Sequence, residues 1–213
     1  MKTWGATLSG TGRRQNILRA ALALAFLGGV LWALPVRRAG EDGGHHGGHA
    51  APEEGLDAFE RAGLVELEAG QRGPAFRLVQ LDGGHASPDT WKDKLVLLNF
   101  WATWCTPCTV EMPALEAVWR RYRGRGLVVV GVSVDRGAPR ALIEPYVTNL
   151  GLTFPILLDP DMATAQAWRV TGLPATFVIR PGGEAVAMAI GAREWDAAPV
   201  RALLEPMLPG APH

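Results

Sequence analysis

A chain of 213 residues with 48% hydrophobic and 20% charged residues has the make-up of a globular protein, not a disordered one. Lys+Arg 21 balance Asp+Glu 21, so there is no basic excess to hold a nucleic acid. Cys 2 in the whole chain excludes a multi-bridge scaffold, and the two cysteines act as a pair if they act at all.

The first segment, 1–38, reads as a signal or anchor. Its apolar run from Ala20 to Leu34 spans about 22 Å as a helix, against a hydrocarbon core of roughly 30 Å. Ile17, Leu18 and Val36 lengthen the run, and Arg19 can snorkel to the interface. A single membrane helix over about 17–36 is therefore expected. No small-x-small cleavage site follows Trp32, which favours an anchor over a signal removed to leave a secreted periplasmic protein. Arg13 and Arg14 are read as flanking charge and not as a twin-arginine signal. Lys2, Arg13, Arg14 and Arg19 precede the run, while Arg37 and Arg38 follow it, so the N-terminus is expected inside and the rest outside. Exported compartments permit disulfides. Residues 39–63 open with a Gly-, charge- and His-rich stretch without periodicity, the composition of a flexible linker. His45, His46 and His49 are read as solvated tether residues.

The domain is expected over 64–210. "PAFRLVQL" with a turn at Asp82-Gly83-Gly84 predicts a strand or hairpin. "LVLLNFW" at 95–101 is a continuous apolar run, as in a strand buried on both faces. A helix over 105–123 follows, with Leu115, Val118, Trp119 and Tyr122 at helical spacing. A second buried strand spans 126–134. Residues 139–150 read as helix, broken or kinked by Pro145. A short strand at 154–159 precedes a short helix over 161–169, with Asp159 or Asp161 as its cap. Strands at 175–180 and 185–191 meet at Pro181-Gly182-Gly183, and a helix over 193–208 closes the chain. Alternation of buried strands and helices predicts an α/β fold with a central mixed sheet.

Cys105 and Cys108 fall where the first buried strand meets the next helix, the carboxyl end of a strand where open sheets place their chemistry. At a helix N-terminus, free N–H groups and the dipole favour an anion, which lowers a thiol pKa. Cys105 is thus expected to be an exposed nucleophile and Cys108 a buried resolving thiol. A zinc site would need four ligands, and neither a second C-x-x-C nor a paired histidine follows. Pro174 precedes a buried strand; in cis geometry it would bring the backbone of Leu173 beside the sulfurs.

"FWATWCTPC" followed by "GLPATF" resembles the thioredoxin superfamily, and more narrowly its TlpA/ResA-like membrane-anchored extracytoplasmic thiol–disulfide oxidoreductases. The similarity runs from about Leu64 to Leu208 and includes the extra segment around "APRALIEPYVTNLGLTFPILLD" and Pro113 after the motif. It implies a thioredoxin-like fold and a substrate groove bordered by Trp104, Thr106, Pro107, Leu173 and Pro174. Thioredoxins carry a buried Asp where this chain has Asn99, which cannot exchange protons. Glu111, three residues past Cys108 on the same helical face, is the candidate to take the proton instead, a position that the resemblance ties to tuning of the thiols. Trp101, Trp119, Trp168 and Trp195 are read as packing residues.

The resemblance further implies a reductase for protein disulfides, of the kind that serves cytochrome c or copper-site maturation, fed by a membrane thiol-transporting donor. No cofactor beyond the Cys105–Cys108 pair and no resident metal is expected. Direction rests on a potential that ranges from about −270 to about −120 mV among thioredoxin-fold proteins. An alternative is a copper-binding metallochaperone of the same fold, although that family spaces its cysteines further apart. A peroxidase would need a proline at a set distance before Cys105, and none stands there.

Overall fold

The computed structural model describes residues 57–137 and 139–210. In chain order the elements are α1 (Ala58–Arg61), β1 (Val65–Glu66), β2 (Leu78–Gln80), β3 (His85–Ala86), β4 (Leu95–Trp101), α2 (Thr106–Tyr122), β5 (Leu127–Ser133), α3 (Pro139–Asn149), β6 (Ile156–Leu158), α4 (Ala163–Ala167), β7 (Ala175–Ile179), β8 (Ala185–Ile190) and α5 (Ala198–Leu204). The strands form one mixed sheet in the order β1-β8-β7-β4-β5-β6-β2-β3, flanked by helices.

The centre of the sheet follows from hydrophobicity. All seven residues of β4 and all seven of β5 are buried, so neither strand alternates. They pair in parallel from Leu95↔Leu127 to Trp101↔Ser133, and β6 continues the parallel set through Gly131↔Ile156. β7 lies antiparallel against β4, and β8 antiparallel against β7. Two close approaches need glycine. A Cβ on Gly73 would fall 2.0 Å from Trp168, and one on Gly131 would fall 2.9 Å from Trp101 and from Ile156. Phe100, Phe177 and Trp168 pack edge to face beside β4, at 6.1 and 4.9 Å between ring centres.

Several expectations shift. The "PAFRLVQL" hairpin forms as β2 and β3, and β2 joins the outer edge through β6, with Val79↔Leu158. Pro145 lies inside α3 without ending it. The carbonyl that it frees belongs to Ala141, and both residues are exposed, so water can satisfy the group. The closing helix begins at Ala198 and not at 193, because the Arg193 amide donates to Glu111 instead of a helix ladder. Pro206 lacks a donor, and the end of that stretch tightens into a 3₁₀ turn over Glu205–Met207. The short helix contracts to α4, and both candidate caps serve it. Asp159 accepts from the amides of Thr164 and Ala165, and Asp161 accepts from that of Ala163.

The last residues of the expected linker are structured. Asp57 and Glu60 cap each other around α1, which packs against α5, and Ala62 and Leu64 are buried. The expected membrane helix at 17–36 and the histidines at 45, 46 and 49 lie outside the described residues. Among the described residues no helix is long and apolar enough to cross a membrane.

Candidate active site

Cys105 sits just past the carboxyl end of β4, immediately before the first residue of α2. Its backbone is extended, at φ −88° and ψ 98°, which makes it the N-cap of the helix. Cys105 and Cys108 form a disulfide with 5.3 Å between their Cα atoms. The Cys108 amide donates to Cys105 Sγ at 3.3 Å, and the Thr109 amide donates to the Cys105 carbonyl at 3.2 Å. The first sulfur therefore faces a helix N–H already, and reduction would leave that donor facing a thiolate. Pro107 in the first turn lacks an N–H that the helix would leave unpaired anyway.

The expected exposure of Cys105 is corrected in degree. It is 6% exposed and Cys108 is 0% exposed, so the order holds but neither sulfur stands out on the surface. Trp104, itself 69% exposed, borders Cys105, and residues 170–173 line a groove with it. Trp104, Thr106, Pro107, Val170, Gly172 and Leu173 line this groove against Cys105, and none of the groove's lining residues is charged. The Leu173–Pro174 peptide is cis. Pro174 itself is buried, and its carbonyl accepts from Gly191 at 2.8 Å. Among the described residues, the backbone groups of Thr171, Gly172 and Leu173 find no partner.

Glu111 lies beneath the motif. It is 1% exposed, deeper than the partial burial expected. Asn99 Nδ2 of β4 donates to its Oε1 at 2.7 Å and also to Thr176 Oγ1 of β7 at 2.9 Å. The Arg193 amide and the Trp195 indole Nε1 each donate to Oε2 at 3.2 Å. Burial pushes the Glu111 carboxyl up to about 7; the donors from Trp195, Asn99 and Arg193 pull it back only in part. A carboxyl with that value exchanges protons at neutral pH. Asn99 is a buried amide whose Nδ2 donates both bonds, while its Oδ1 has no partner among the described residues. Trp195 is not merely packing, since its ring nitrogen reaches the carboxylate.

The sequence reading missed three further supports. Asp135, buried, accepts from the Thr103 amide at 3.0 Å, the Thr103 hydroxyl at 2.6 Å and Ser133 at 2.8 Å, so it fixes the turn that leads into Trp104. Tyr146 of α3 stacks on Trp101 with 4.9 Å between ring centres and shares a hydrogen bond with Thr109 at 2.9 Å. Thr176 completes the Asn99 contact. Only Asp135, an acid directly after a buried strand, carried a local signal. Among the described residues no cluster of three or more His, Cys, Asp or Glu is placed to hold a metal.

Residues 69–188 match the AhpC/TSA family. The chain belongs to that family. Among curated relatives, the thiol–disulfide oxidoreductase ResA of Bacillus subtilis is 33% identical over 130 residues, 61% of this chain and 72% of ResA. ResA of Oceanobacillus iheyensis is 28% identical over 184 residues, 86% of this chain and 85% of its own. Among solved structures, a thiol:disulfide interchange protein of the thioredoxin family from Chlorobium tepidum aligns with a TM-score of 0.56 and 27% identity, over 65% of this chain and 99% of that one. The fold is thioredoxin-like, and the enzyme is a thiol–disulfide oxidoreductase of the ResA type.

Proposed function

We propose that the enzyme is an exported reductase that passes electrons from a membrane thiol-transporting donor to disulfides of extracytoplasmic proteins, in the manner of cytochrome c or copper-site maturation. It would work through Cys105 and Cys108 with no other cofactor. The observation that carries this reading is the uncharged groove that opens on Cys105, with the unpartnered backbone of 171–173 along its wall. An extended polypeptide can lie there, pair its own amides with that backbone, and bring a cysteine to the sulfur.

In the reducing direction the Cys105 thiolate attacks the substrate disulfide, one substrate sulfur joins it in a mixed disulfide, and the other leaves as a thiolate that solvent protonates. Cys108 then gives its proton to Glu111, and its thiolate attacks Cys105 in the mixed disulfide. The Cys105–Cys108 bond forms, the second substrate sulfur departs with the electron pair, and solvent protonates it. Glu111 suits the base role because Asn99 cannot exchange the proton. Trp104, Thr106, Pro107, Leu173 and Pro174 would hold the substrate chain. The outside location is supported by the apolar run from Ala20 to Leu34 and the basic residues ahead of it. The test is the reduction potential of the Cys105–Cys108 couple. A value toward about −270 mV is expected; one near about −120 mV would make the protein an oxidant.

A further inference from the structure

The Glu111 carboxylate is surrounded by donors. Asn99 supplies one, and the Arg193 amide and Trp195 indole supply two more, all within 3.2 Å. Each hydrogen bond that Glu111 makes among the described residues is accepted from a donor, which suits the charged form of the acid, while burial opposes it. Two of the three donors come from the stretch between β8 and α5, which carries no motif and lies more than eighty positions along the chain from Glu111.

Packing alone does not account for the Trp195 contact. Trp101 and Trp168 are also buried in the core, yet each leaves its Nε1 without a partner. Trp195 is 0% exposed, and its Nε1 meets the carboxylate. A buried indole on a buried carboxylate is a specific, charge-assisted contact.

We propose that Trp195 is a positioning residue for thiol–disulfide exchange, its indole N–H orienting the Glu111 carboxylate and stabilising its charged form so that it can take the proton of Cys108. The proposal rests on reading Glu111 as the base. The charged or titratable groups near Glu111 are Cys108 on its own helix, Arg193 beyond β8, and Tyr146 on α3. Asn99 on β4 and Thr176 on β7 are neutral. Arg193 favours the carboxylate by its charge. Tyr146 is held above its ordinary value, chiefly by burial, and stays neutral wherever Glu111 titrates.

The test uses the full chain with Trp195→Phe, which keeps an aromatic ring and removes the N–H. Two quantities are read: the midpoint of the Glu111 carboxyl carbon by NMR in the oxidised protein, and the pH profile of oxidised glutathione reduction by the reduced protein. Losing a donor to a carboxylate raises its pKa, so both should move to higher pH by about one unit. A folded Trp195→Phe protein whose Glu111 midpoint matches the wild type overturns the proposal. Should that variant fail to fold, the wild type still decides. The Trp195 indole proton resonance should shift with the Glu111 midpoint, and a resonance that ignores pH overturns the proposal. Glu111→Gln separates the two readings. A pH profile unchanged by Glu111→Gln removes the base reading; a profile that Glu111→Gln flattens but Trp195→Phe leaves in place removes only the role of Trp195.

Discussion

At the scale of single residues, the two sulfurs differ by position and not by chemistry. Cys105 caps a helix of 17 residues and borders the groove, whereas Cys108 is sealed beneath it. A substrate can therefore reach only the first. Cys108→Ser removes the resolving sulfur while keeping nearly the same volume, so mixed disulfides on Cys105 should accumulate. Non-reducing electrophoresis and mass spectrometry of the trapped partners read this directly. Failure of Cys108→Ser to hold any partner, with Cys105 intact, would contradict the division of labour. The C-x-x-C spacing made this placement, one sulfur at the helix start and the other one turn in, legible in the sequence, because helix geometry fixes what lies one turn apart. The depth of Cys105 was not legible, since the groove wall beside it comes from residues 170–173, far along the chain.

At the scale of elements, the groove depends on a five-residue helix. α4 is too short to stand by propensity alone, and Asp159 holds its first turn with two amide bonds at 3.1 and 2.8 Å. The chain then runs directly through Val170 to Leu173, one wall of the groove. Asp159→Ala should cost about 1–2 kcal/mol of stability. It should also weaken substrate affinity more than turnover, read as a raised KM with a smaller change in kcat. An unchanged KM would detach α4 from the groove. α3 illustrates the opposite case. Its proline suggested a break, yet the freed carbonyl faces solvent and the helix runs on. A proline rule reads only the lost donor; whether that loss matters depends on which face the helix buries.

At the scale of the whole molecule, the buried carboxyl links folding to pH. Glu111 moves from 4.5 to about 7 because burial disfavours its charge. Between those values the folded protein holds a proton that the unfolded chain has released. Stability from this group is thus complete below about pH 4.5 and is lost as pH rises through about 7. The full effect is on the order of 3 kcal/mol. Urea denaturation of the oxidised protein should show a falling midpoint from pH 5 to pH 8, and Glu111→Gln should remove that component. A pH-independent difference between the two proteins would mean that Glu111 is ionised throughout.

The sequence by itself determined the central strands, the helix behind the cysteines and the turn that places Pro174. These rest on patterns within a few residues: unbroken apolar runs, a capped helix start, Gly and Pro at turns. Only the tertiary structure decided what surrounds Glu111. Asn99, Thr176, Arg193 and Trp195 come from separate segments, and the sheet order brings them together. Hydrogen bonds between segments some eighty positions apart leave no period in the sequence, because their partners are set by strand register and not by spacing along the chain.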